Sequence, residues 1–128
     1  MNPLDLPKGW TMKTYDLGGA RGWTLFEHRV ILIKPGLHPW QNRATVTHEL
    51  LHAHRGAVPA HMQAREERIV NRETARRLIT IRDLAAALSE SSDPRFVADR
   101  LEVPVALVWS RWHGLTSTER DQLLDYLN

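Results

Sequence analysis

Two short apolar runs stand early in the chain, Trp23–Phe26 and Arg29–Ile33, with the polar pair Glu27-His28 between them. Runs of that length bounded by polar residues predict two strands joined as a hairpin. Pro35-Gly36 predicts a turn, after which the pattern becomes helical from Trp40 or Gln41 and stops at Gly56, with Pro59 reinforcing the stop. Residues 65–82 hold no Gly or Pro and predict a second helix; Asp83–Leu88 follows, before a polar break at Ser89–Ser92. Asp93-Pro94 opens another helix, with aspartate as N-cap and proline in the first turn. Pro104 starts a further helix that Gly114 ends, and Thr116-Ser-Thr-Glu119 is a capping box before a last helix to Leu127. Residues 1–22 carry turn signals at Pro3, Pro7-Lys8-Gly9 and Gly18-Gly19, around a short element that the pattern leaves open as helix or strand. The fold expected is α+β: a small twisted sheet packed on the first two helices, then a C-terminal helical subdomain. One domain spans 1–128, with a core to about residue 82 and the helical part from about 83.

The first helix makes the sharpest chemical statement. On its wheel Val46, Leu50 and Ala53 share one side, and Ala44, Thr47 and Leu51 fill the gap beside them. A helix so nearly apolar or small all round belongs at the centre of a core. Yet His48-Glu49-Leu50-Leu51-His52 places two histidines and a glutamate on it, in the pattern H-E-x-x-H. Histidines four apart point the same way and can grip one metal ion, with the glutamate at the rim of that face. Left without partners, buried polar groups cost about 1–3 kcal/mol each, and a metal would satisfy them together.

A catalytic zinc takes three protein ligands and keeps one position for water. The metzincin offsets beyond the motif hold Arg55 and Val58, which excludes that ligand set. On the second helix Glu67, Asn71, Thr74 and Leu78 form one stripe, flanked by Val70 and Ile81, while Arg65, Arg68, Arg72 and Arg76 form the opposite one. The arginine stripe must be wet, so Glu67 is expected to face inward as third ligand, with Glu66 about 100° away at the boundary. Asn71, one turn on, is placed to orient a ligating histidine. Of the rival ligands, His54 points away from the His48/His52 stripe, whereas His61 in the connecting loop remains open.

The run Arg43-Ala-Thr-Val-Thr-His-Glu-Leu-Leu-His-Ala, followed by Glu67-Arg-Ile-Val-Asn71, resembles the ImmA/IrrE family of metallopeptidases. Val30–Ile33 looks like that family's strand, and Val97–Val103 like the segment that follows its active-site helices, so the likeness covers roughly residues 25–115. The chain departs from the pattern at Val70, where the family has alanine, and at Glu73-Thr74, where it has Phe-Ala. The resemblance implies a Zn²⁺ site of His48, His52 and Glu67, and a peptidase of bacterial or phage origin. Its expected substrate is an intracellular regulatory protein such as a transcriptional repressor. Glu49 would act as general base toward the attacking water and then protonate the leaving amine. An oxyanion donor is also needed, for which Tyr15, Arg72, His113 and Tyr126 are candidates. An edge strand at Val30–Ile33 would pair with an extended substrate.

Composition narrows the partners. The chain has no cysteine, which removes disulfides and thiolate zinc sites, and no apolar stretch of membrane-spanning length or leader, so a cytoplasmic protein without membrane contact is expected. The net charge is only +2, weak support for nucleic-acid binding. Val97 to Leu115 has apolar spacing close to a helix-turn-helix, but its recognition positions hold Pro104, Val105, Ala106, Trp109 and Ser110, almost devoid of base-reading groups. Direct nucleic-acid binding is therefore disfavoured, and the unit is expected to pack on the core or bind a protein. Two other functions stand beside the peptidase: a protein-binding regulator such as an antirepressor that retains the metal site, and, behind it, a DNA-binding protein.

Overall fold

The computed structural model describes residues 4–128, so the turn expected at Pro3 lies outside the described residues. Among the described residues, six α-helices and a three-stranded sheet make a mixed α+β fold. The strands are β1 (Thr11–Thr14), β2 (Gly22–Leu25) and β3 (Val30–Ile33); the helices are α1 (Pro39–Arg55), α2 (Gln63–Leu78), α3 (Ile81–Glu90), α4 (Pro94–Leu101), α5 (Val105–His113) and α6 (Ser117–Leu127). A single 3-10 turn, Ala60–Met62, leads into α2. No helix among the described residues is long and apolar enough to cross a membrane. By packing, the chain divides into two compact units, one ending at Val70 and the other beginning at Asn71, so the division falls within α2.

In the first unit β2 and β3 form the expected hairpin, with a turn over Phe26–Arg29 and Leu25 opposite Val30. The undecided N-terminal element is a strand: β1 runs parallel to β3, giving the order β1-β3-β2. Its sequence, Thr-Met-Lys-Thr, has no apolar alternation because all four residues are exposed, and a lysine on an edge strand also discourages pairing with other chains. This order corrects one expectation. Val30–Ile33 is the central strand, hydrogen-bonded on both sides, so it cannot receive a substrate strand; the edges are β1 and β2.

Alternation along β3 buries Ile31 and Ile33 against α1, where they join Leu50 and Ala53 in one cluster edged by Trp10, Leu37 and Val46. Burying each such aliphatic side chain is worth about 1.5–3 kcal/mol, which fixes α1 across the sheet. Pro39 occupies the first position of α1, and the His38 backbone N–H donates to Gln41 Oε1 at 3.2 Å. Gly56 ends the helix with φ of 90°, a backbone conformation that glycine adopts without strain.

The second helix is shorter than the sequence pattern predicts. It stops at Leu78, and Thr80 starts α3 by accepting a hydrogen bond from the Asp83 N–H at 3.0 Å. Apolar periodicity continues through this break, and the capping threonine alone marks it. In the second unit α3 packs on α4 and α6, and α4 packs on α5, around Leu84, Ala87, Val97 and Leu107. Asp93 caps α4 through the Arg95 N–H at 3.0 Å. Glu102 closes α4 in the left-handed region with φ of 56°. The capping box before α6 forms as expected, with Thr116 and Glu119 each accepting the other's backbone N–H at 3.1 Å.

Candidate metal centre

One turn of α1 separates His48 from His52, and their ring nitrogens face each other, Nε2 to Nε2, at 3.2 Å. The beginning of α2 brings Glu67 against both: its Oε1 lies 2.7 Å from His52 Nε2 and its Oε2 lies 3.2 Å from His48 Nε2. All three residues belong to the first unit. These ligand-type atoms gather within 4.8 Å of one another. Zinc bound tetrahedrally at about 2.0–2.1 Å holds its ligand atoms about 3.3 Å apart. Two of the three separations match that spacing, and the third is the length of a charged hydrogen bond. Imidazole N–H groups could bridge these atoms by hydrogen bonds, and a divalent cation would satisfy all three side chains at once. The donor set therefore fits a divalent metal of the zinc type, whose usual ligands are imidazole and carboxylate.

Glu67 reaches this position with its side chain 42% exposed, from the rim of α2 and not from the inward face expected of it. The buried stripe of α2 runs through Glu66, Val70, Thr74 and Ala75, about one residue around from the stripe that the wheel suggested. Val70 and Ala75 set that stripe, and Glu66 is admitted to it because Arg55 neutralises it, with Nε–Oε2 at 2.6 Å and Nη2–Oε1 at 2.9 Å. This paired hydrogen bonding with Arg55 holds the Glu66 carboxyl below the usual glutamate range, against the opposing effect of burial. Glu67 sits beside the histidines because it lies at the rim. The arginine stripe is exposed as expected.

The rival ligands are accounted for locally. Glu66 is committed to Arg55, His54 Nε2 contacts the Asp5 carbonyl oxygen at 2.6 Å, and His61 is exposed on the 3-10 turn. Asn71 follows Glu67 by one turn of α2, half-buried, as the first residue of the second unit. Among the oxyanion candidates, Tyr15 belongs to the first unit and is 64% exposed; Arg72, His113 and Tyr126 belong to the second.

Glu49 is buried between α1 and β2, with Oε2 4.0 Å from His48 Nε2, beside the cluster but outside ligand distance. Thr24 on β2 donates its hydroxyl to Glu49 Oε1 at 2.9 Å, with the Glu49 backbone oxygen at 3.2 Å. Gly22, two residues earlier on the same face, leaves the room: a Cβ there would stand 2.7 Å from Thr45 Cγ2 and 2.9 Å from Glu49 Cγ. Sequence reasoning missed both residues. Their signal was a threonine at an inward-facing strand position, where an apolar residue is the rule.

The arrangement can hold a divalent cation on three side chains, with a positioned carboxylate next to it. No family model, no curated protein and no solved structure matches the chain.

Proposed function

We propose that this protein is a zinc-dependent peptidase acting on an intracellular regulatory protein, such as a transcriptional repressor. The observation that carries the proposal is the convergence of His48, His52 and Glu67 with the Glu49 carboxylate beside them. The likeness of the two helices to ImmA/IrrE metallopeptidases supports the same reading and suggests the substrate class. His48, His52 and Glu67 would hold the ion, and zinc when bound supplies Lewis acidity toward water and a peptide carbonyl. Glu49, oriented by the Thr24 hydroxyl, accepts the proton of the attacking water and returns it to the departing amine. Burial removes competing water from the carboxylate, and the threonine hydrogen bond keeps one oxygen occupied, which leaves Oε2 as the proton acceptor. Of the two sheet edges, β2 is the one whose residues touch Glu49, so its free side suits main-chain pairing with an extended substrate.

One feature favours a second reading, a protein-binding regulator with little turnover. The outer face of α5 exposes Val105, Trp109 and Trp112, an apolar stripe unusual for a surface with no protein to meet. A single experiment separates the two. The zinc-loaded protein is incubated with a proteome-derived peptide library, and new termini are read by mass spectrometry, with Glu49→Gln in parallel. The peptidase reading predicts cleavage by the wild type and at least about a hundredfold less by the variant, at equal zinc content. Equal cleavage by both, or none by either, would contradict it, and the latter would favour the regulator.

A further inference from the structure

A different group of charges lies wholly within the second unit. Arg111, on α5, is 3% exposed. Its Nε donates to the Ile79 carbonyl oxygen at 2.9 Å and its Nη2 to Glu119 Oε2 at 2.7 Å. The third nitrogen, Nη1, is buried with no hydrogen-bond partner among the described residues. Leaving a donor of a buried cation unmatched is costly, so the Arg111 guanidinium keeps donor capacity that its neighbours do not use.

Arg111 lines a cavity of about 280 Å³, shared with Glu73, Arg76, Arg77 and Glu119. Three guanidinium groups thus stand with two carboxylates, and neither carboxylate accepts from Nη1. Glu119 is engaged by Arg111 Nη2 and by the Thr116 N–H, and the Arg111 hydrogen bond holds its carboxyl below the usual range. Glu73 meets Arg76 at 3.3 Å in an exposed pair of the kind worth little, so Arg76 is readily drawn to a stronger anion. Arg77 makes no ion pair among the described residues. The cavity therefore sets three guanidinium groups against two carboxylates, and one of the three, Arg111, is held in place by two hydrogen bonds.

We propose that this cavity is an oxyanion site that takes the phosphoryl group of a small phosphorylated molecule or free phosphate, held by Arg111 from within and by Arg76 and Arg77 at the mouth. Planar guanidinium groups match phosphate oxygens in a way that a point charge does not. Arg111 is preorganised, so little side-chain entropy is lost at the buried contact. The site is independent of the peptidase reading, because no residue of the metal cluster contributes to it.

The test uses the full chain in buffer free of polyvalent anions. Inorganic phosphate is titrated by isothermal calorimetry against wild type and against the double variant Arg76→Gln with Arg77→Gln, whose substituted side chains are exposed and leave Arg111 in place. A glycerol phosphate and a duplex oligonucleotide are titrated in the same way. Saturable phosphate binding, weakened at least about tenfold in the variant, is the result expected, and tighter binding of the glycerol ester would identify the phosphorylated molecule as the source. Phosphate heats no different from those of sodium chloride at equal ionic strength, or unchanged binding by the variant, would overturn the site. Binding of the oligonucleotide alone would also overturn it, in favour of a backbone contact to nucleic acid.

Discussion

Glu66 and Glu67 are neighbours in the chain and meet opposite surroundings, and the difference decides the chemistry of the site. Glu66 is buried and joined to Arg55 by two hydrogen bonds, while Glu67 stands half in solvent against two imidazoles. A buried carboxylate already satisfied by a guanidinium has no reason to leave it for a metal, whereas Glu67 has both oxygens turned to histidine nitrogens. The pairing has a consequence for acid stability. Because the folded-state pKa of Glu66 lies below its unfolded value, its contribution is complete above about pH 4.3 and is lost as pH falls through the lowered folded value. Glu66→Gln should cost about 1–3 kcal/mol near neutral pH, and urea unfolding should show the gap from wild type narrowing below about pH 4.3. A gap that stays constant into acid would mean the ion pair contributes nothing. At this scale the histidines and the choice of Glu67 were legible in the sequence, since a four-residue spacing and a downstream helix suffice. The face on which Glu67 stands was not legible, because a helical wheel ranks faces by polarity and cannot foresee that Arg55 would carry a glutamate inside. Thr24 and Gly22 left only a weak signal, the threonine itself, because their role depends on which face of β2 meets α1.

Elements with strong punctuation were readable from their sequence alone. Gly56 ends α1, Asp93-Pro94 opens α4, and Thr116 with Glu119 opens α6, each where its backbone chemistry requires, while α1 starts at Pro39, just before the Trp40 or Gln41 expected. Elements whose identity comes from pairing were not readable. β1 is a strand because β3 offers it a hydrogen-bonding edge, and nothing in Thr11–Thr14 itself selects an extended chain. That omission misplaced the sheet edge and so misassigned the strand open to a substrate. The junction between α2 and α3 was hidden because Leu78, Ile81 and Ala85 keep a helical spacing across a residue, Thr80, that leaves the helical conformation. The capping box of α6 gives a direct check of element-scale energetics. Thr116→Ala removes the acceptor for the Glu119 N–H and should destabilise the protein by about 1 kcal/mol in chemical denaturation, while Thr116→Ser should stay within a few tenths of wild type. Equal losses in both variants would show that the methyl group, not the hydroxyl, matters at this position.

For the whole chain, the two units carry different kinds of chemistry. The first places a small sheet behind a buried helix and so fixes two histidines and Glu49, with Glu67 supplied by the start of α2. The second is a helical assembly with an arginine-lined cavity and an exposed apolar stripe on α5. The α+β class followed from the order of strand-like and helix-like runs, and the grouping of His48, His52 and Glu67 followed from one five-residue motif and one glutamate. The anion cavity had no sequence signal, because Arg76, Arg77, Arg111 and Glu119 come together only through the packing of three helices. The central claim, that His48, His52 and Glu67 form one metal site, is tested most directly by metal content. Protein reconstituted with zinc and then desalted is measured by inductively coupled plasma mass spectrometry, wild type beside Glu67→Ala. The account predicts about one zinc ion per wild-type chain and a severalfold lower content in the variant, since two histidines alone hold zinc weakly. A wild type that stays empty after reconstitution, or a variant that keeps its full complement, would contradict it.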